Sequence, residues 1–105
     1  MKKTVRESDQ LPDLKVLIDQ SVNGNDKAFK ELYDMIAGKM YSLCLRYIND
    51  TDNANDVFQD GFTRLYSNLK NYRYQGSFEG WARRIFITTC LDYIKRKRNY
   101  FLEVD

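Results

Sequence analysis

Between Ala54 and Leu69 the apolar residues fall at helical spacing. Ala54, Val57, Phe58, Gly61, Phe62, Leu65, Tyr66 and Leu69 follow i, i+3, i+4 and i+7, with polar residues between them. A strand would need alternation of period two, so this stretch has to be an amphipathic helix with one buried face. The same period runs through most of the chain, which holds one proline and five glycines. Pro12 suits the first turn of a helix that buries Leu14, Leu17, Ile18 and Ser21 or Val22. After a break at Asn23-Gly24-Asn25, either Asn25 or Asp26 caps a second helix with apolar positions Phe29, Leu32, Tyr33, Ile36, Met40, Leu43, Cys44 and Tyr47. Gly38 inside it costs about 1 kcal/mol against alanine and allows either close packing or a bend.

Asn49-Asp50-Thr51-Asp52 separates that helix from the third. Asn71 to Gly76 is polar and aromatic and reads as a loop, after which Ser77 caps a fourth helix ending near Arg98. Within this last element, Ile85-Phe86-Ile87-Thr88-Thr89 has the residue types of a strand. The flanks, Trp81 to Arg84 and Leu91 to Lys95, continue a helical pattern, and no partner strand exists elsewhere. Helix is therefore expected. The predicted fold is all-α, a compact bundle of about four helices. Residues 1–12 form an N-terminal tail, 13–99 the helical domain and 100–105 the start of a linker.

At 105 residues the chain is one domain long, and 43% apolar with 30% charged residues is an ordinary globular composition. There is no histidine, which excludes His-based triads and His-ligated zinc. Cys44 and Cys90 stand far apart in sequence, each in an apolar run, and read as reduced, buried thiols rather than a disulfide. No stretch approaches the length of about 18 apolar residues that spans a bilayer, and the basic start MKKTVRESDQLPDL lacks the apolar core of a signal peptide. A cytoplasmic location is expected. Neither a phosphate-cradling glycine loop nor a metal-ligand cluster is present in the sequence, so no cofactor or metal is expected. Asp56 and Asp60, one helical turn apart, lie opposite the apolar stripe, where a solvated face is far commoner than a general acid–base pair. An enzyme is not expected.

Charge is unevenly distributed. Residues 1–60 carry 8 Lys/Arg and 11 Asp/Glu, whereas residues 61–105 carry 9 and 4, together with 10 of the 15 aromatics. An acidic part and a basic, aromatic part suggest two different partners. Asp52, Asp56, Gln59, Asp60 and Thr63 share one side of the third helix, either as a solubilising surface or as a docking face. Tyr72-Arg73-Tyr74 lies in the loop, Arg83-Arg84 on the fourth helix and Lys95-Arg96-Lys97-Arg98 near its end. Exposed aromatics beside arginines are what single-stranded bases require, a flat surface to stack on and charge to hold the backbone. The same tyrosines serve equally well to pack the loop onto a core.

The string DNANDVFQDGFTRLYSNLKNYRYQGSFEGWARRIFITTCLDYIKRKRN, residues 52–99, carries an ordered constellation. It runs D-x-x-x-D-x-x-Q-D-x-F, a short aromatic loop, F-x-x-W-x-x-R-I and L-D-Y-x-K-R. Together with NGNDKAFKELYDMIAGKMYSLCLRYIND upstream, it resembles region 2 of bacterial sigma factors of the extracytoplasmic-function (ECF) type in the sigma-70 superfamily, over about residues 13–99. The resemblance implies a region 2-like helical bundle. It further implies a transcription initiation factor that docks on the clamp helices of the largest subunit of core RNA polymerase. Asp56, Gln59 and Asp60 match the contact positions, with Asn55 and Arg64 as lesser candidates. It also implies recognition and melting of the promoter −10 element, with a non-template base flipped out of the stack.

On that reading Tyr72, Arg73 and Tyr74 match the loop, and Arg84 and Thr88 the helix face that reads or holds the strand. Lys95, Arg96, Lys97 and Arg98 would meet phosphates, and Trp81 falls at the family's tryptophan with a packing role. An anti-sigma factor is a further partner implied by the family. Two departures are visible. Thr88 stands where related sequences typically have asparagine, replacing a planar amide by one short hydroxyl. The helix-turn-helix domain that reads the −35 element has no counterpart before Asp105, and truncation is the favoured explanation. The rival to this reading is a helical protein-interaction adaptor that never touches DNA.

Overall fold

The structure, a computed structural model, describes residues 13–104. Among the described residues four α-helices follow in order: α1 Leu14–Val22, α2 Asp26–Tyr47, α3 Thr51–Asn68 and α4 Phe78–Val104, with a 3₁₀ turn at Leu69–Asn71 after α3. No strand occurs among the described residues. The all-α expectation holds. The chain divides into two compact units, with the division inside α2 between Met35 and Ile36.

In the first unit, Asp13 caps α1 by accepting the Lys15 backbone N–H at 3.0 Å. Leu17, Ile18 and Ser21 are its buried positions, and the Ser21 hydroxyl is satisfied by donating to the Leu17 carbonyl at 2.8 Å. Gly24 turns the chain at φ +94°, a conformation glycine takes without steric cost. Of the two capping candidates for α2, Asn25 acts, its side-chain oxygen accepting the Ala28 N–H at 3.0 Å.

The second unit has a core drawn from the helical stripes. Ile36, Met40, Leu43 and Cys44 bury one face of α2, followed by Ile48 just past its end, and Ala54, Val57, Phe62 and Leu65 bury one face of α3. Phe78, Ala82, Phe86, Thr89 and Cys90 complete it from α4. At its centre Phe58, Phe62 and Phe86 meet edge to face or tilted, with centroids 5.0–6.1 Å apart, and Tyr41 closes on Phe58 at 5.3 Å.

The strand-like run Ile85–Thr89 is helical because burial selects a period near four. Ala82, Phe86, Thr89 and Cys90 are all buried on one side, and Thr89 donates its hydroxyl to the Ile85 carbonyl at 2.7 Å. Tertiary packing overrides strand propensity here. α4 also continues past Arg98 to Val104. Nothing stops it: no glycine or proline follows Gly80 in the sequence. The thiols of Cys44 and Cys90 are both free and lie 3.8 Å apart in the core, joining α2 to α4 by contact rather than by a bond.

Candidate functional site

α3 presents its polar face to solvent, with Asp52, Asn55, Asp56, Gln59 and Thr63 exposed. Asp52 in the first turn complements the positive end of the helix dipole. Asp60 and Arg64 depart from this face. Arg64 reaches back to the Asp60 carboxylate at 3.5 Å and across to Asp92 on α4 at 2.9 Å. Its guanidinium is thereby fixed on the α4 side of the helix, 30% exposed. The side chain grouped by sequence with the acidic face belongs structurally to the seam between α3 and α4.

That seam opens into a cleft of about 330 Å³ lined by Arg64, Asn68, Asn71, Trp81, Arg84, Ile85 and Thr88. Arg84, Ile85 and Thr88 reach it because they follow Trp81 at helical spacing on α4. Asn68, one turn beyond Arg64, bonds that residue's carbonyl at 2.9 Å. Asn68 and Asn71 were not singled out by sequence. Their signal was register, since Asn68 continues the row of Asp60 and Arg64.

Beside the cleft, the loop is pinned from within. Tyr72 is 7% exposed, donates its hydroxyl to the Gly76 carbonyl at 3.1 Å and packs its ring against Phe78 at 5.6 Å and Trp81 at 4.9 Å. Tyr72 therefore shapes the loop from inside. Tyr74 is different: it is 42% exposed and sits at φ +62°, a region a bulky residue enters only under constraint. Its ring lies 4.7 Å from that of Tyr72, tilted by 54°. Arg73 is exposed between them. Ser77 ends the loop as expected, accepting the Gly80 N–H at 2.9 Å. Trp81 is half-buried, packed on Tyr72 and Phe78 on one side and lining the cleft on the other.

Lys95, Arg96, Lys97 and Arg98 are exposed on the distal half of α4, beyond the cleft, with Lys97 over the Tyr93 ring at 5.8 Å. The structure thus brings Arg64, Arg84 and Thr88 together in one cleft, with Tyr74 on the loop that leaves the cleft at Asn71, and leaves Asn55, Asp56 and Gln59 on a separate exposed face. Among the described residues no helix is long and apolar enough to cross a membrane.

These features define a helical domain with an acidic, solvent-facing helix and a neighbouring cationic, aromatic cleft. Residues 32–100 match the sigma-70 region 2 family, and the chain belongs to that family. Similar proteins include the ECF RNA polymerase sigma factor SigW of Bacillus subtilis, 30% identical over 93 residues that make up 88% of this chain and 50% of the relative. The ECF RNA polymerase sigma-E factor of Escherichia coli is 34% identical over 87 residues, 83% of this chain and 44% of that protein. The chain therefore spans about half the length of these curated relatives. Among solved structures, an engineered region 2 of sigmaE in an NMR complex with GTAAAA superposes with a TM-score of 0.74 at 27% identity, covering 84% of this chain and 92% of that one.

Proposed function

We propose that this domain is the part of a transcription initiation factor that docks on core RNA polymerase and holds the melted non-template strand of a promoter −10 element. One observation carries the DNA half of the reading. An exposed tyrosine in contact with a buried one sits on the loop that starts at the wall of a cleft containing two arginines, a threonine hydroxyl and two asparagines. A base leaving the stack needs a flat partner, hydrogen-bonding groups at its edge and cations for its backbone. Tyr74 provides the first, Thr88 with Asn68 and Asn71 the second, and Arg84 with Arg64 and Arg73 the third. The superposable sigmaE domain solved with GTAAAA supports the same assignment. Tyr72 acts by holding the loop, and Lys95, Arg96, Lys97 and Arg98 contact phosphates farther along α4.

The polymerase half rests on Asn55, Asp56 and Gln59 on the exposed face of α3, with Asp60 at its edge, a surface suited to basic partner helices such as the clamp helices of the largest subunit. Arg64 serves this half only by holding Asp60. No bond is made or broken by the domain, and the polymerase performs the chemistry. Cytoplasmic action and regulation by an anti-sigma factor follow from the same family reading.

The test is a titration against core RNA polymerase and, separately, against single-stranded GTAAAA. Asp56→Lys is expected to lose the polymerase and keep the DNA, while Tyr74→Ala does the reverse. Failure of well-folded wild-type protein to bind either target would return the protein to the adaptor class.

A further inference from the structure

On the other side of α4 from the Arg64 cleft lies a second depression, of about 420 Å³, lined by Gly38, Lys39, Ser42, Arg46 and Arg83. Lys39, Ser42 and Arg46 follow one another at i, i+3 and i+7 along α2, so they form a row facing Arg83. A side chain at Gly38 would meet nothing within 4 Å, so this part of the groove is open. Among the described residues, three cations here are answered by one carboxylate, Glu79, which pairs with Lys39 at 3.1 Å. Neither Arg46 nor Arg83 is paired with a carboxylate among the described residues. Gathering these like charges in one groove is unfavourable for the free domain and favourable for an anion-bound one.

The groove is not isolated. Between it and the Arg64 cleft lies a third depression of about 300 Å³, built on the loop residues Gln75, Gly76 and Ser77. It shares Arg83 with the α2 groove and Trp81 and Arg84 with the Arg64 cleft. The three depressions therefore adjoin one another around the N-terminal half of α4, and an arginine stands at each boundary. A polyanion seated in the first would be led over Arg83 onto α2.

We propose that Lys39, Ser42, Arg46 and Arg83 form a phosphate-binding track that carries the sugar–phosphate backbone of the same single strand beyond the loop. The track reads no bases, because its cations meet only the charged backbone. It rests on the reading that the Tyr74 loop and cleft hold single-stranded DNA. It lengthens the bound strand and makes α2 part of the DNA-binding surface, although α2 carries none of the loop or α4 residues assigned to it above.

The experiment compares GTAAAA with the same oligonucleotide extended at one end or the other by abasic nucleotides, which add phosphates without bases. The intact 105-residue chain is used over a range of salt. The wild type should bind one of the two extended probes more tightly than GTAAAA, with a steeper salt dependence. Lys39→Gln with Arg46→Gln should abolish that gain and lower the slope of log K against log salt by about 1.4, at about 0.7 per lost single-strand phosphate contact. Its affinity for unextended GTAAAA should stay unchanged. Arg46→Lys, which keeps the charge, should retain the gain. A gain that survives the double substitution, or no gain from either extension while GTAAAA still binds, overturns the track alone. Absence of wild-type binding to GTAAAA overturns the DNA reading and the track with it.

Discussion

Gly61 on α3 lies against the ring of Phe86 on α4, so closely that a Cβ at position 61 would overlap the ring carbons Cε2 and Cδ2. The two helices approach at this point because one of them has no side chain there. Phe86 is fully buried and is the ring on which Phe58 and Phe62 converge. The seam that carries the cleft is thus set by a single small residue.

Helix propensity and packing oppose each other at this position. Gly61→Ala gains up to about 1 kcal/mol of propensity, yet displacing a core phenylalanine by overpacking costs about 1–3 kcal/mol. The net expectation is destabilisation, read as a lower midpoint in urea unfolding. Gly38→Ala is the control, since its Cβ meets nothing within 4 Å. That substitution should stabilise by about 0.5–1 kcal/mol.

Arg64 and Asp92 are 30% and 48% exposed, so their 2.9 Å pair is only partly shielded from water. A double-mutant cycle with Arg64→Ala and Asp92→Ala should give a coupling of about 1 kcal/mol or less, diminishing with added salt. A larger value would mean the pair is drier than its exposure indicates. Asp60→Lys would place a second cation against Arg64, which makes Asp56→Lys the cleaner probe of the docking face.

The two loop tyrosines should respond in opposite ways. Tyr72→Ala removes a buried ring and is expected to cost about 3 kcal/mol or more of stability. Tyr74→Gly relieves a left-handed backbone strain of about 1 kcal/mol or more, offsetting its lost contact with Tyr72. Its stability should therefore stay close to wild type while single-strand binding weakens by about 1–3 kcal/mol, the worth of one stacked base. Thermal unfolding paired with fluorescence anisotropy separates the two effects.

Thr88 is exposed on the wall of the cleft and offers one hydroxyl. Thr88→Asn supplies an acceptor and two donors on one plane. Discrimination between GTAAAA and singly substituted oligonucleotides should increase by about 5- to 150-fold, corresponding to about 1–3 kcal/mol for a well-made base contact. Equal discrimination by both proteins would show that position 88 does not read a base.

Burial, then the neighbouring Cys90, pushes the Cys44 thiol from 9.0 to about 12, and burial also raises Cys90. The native state therefore keeps a proton that the unfolded chain releases, so this contribution is full below about pH 9 and is lost as pH climbs towards 12. Under reducing conditions, stability should fall through that window with a slope approaching about 1.4 kcal/mol per pH unit for one thiol. Cys44→Ala should flatten its own part of the slope, measured by urea unfolding at several alkaline pH values. Both thiols should also resist alkylation in the folded protein.

The sequence alone determined most of the helices, because their period, their breaks at Asn23–Asn25 and around Asn49–Asp50, although Thr51 and Asp52 of the expected break already belong to α3, and the Ser77 cap are local facts of spacing and hydrogen bonding. It determined the acidic face of α3 for the same reason, since a helix fixes which residues share a side. It also carried the family, through a constellation ordered along the chain. Only the tertiary structure decided where Arg64 points, which of Tyr72 and Tyr74 is buried, that Cys44 and Cys90 touch, and that Lys39, Arg46 and Arg83 share a groove. Each of these depends on how two elements distant in sequence approach one another. That approach is set by packing at places such as Gly61 against Phe86, where what matters is the volume of both partners at once.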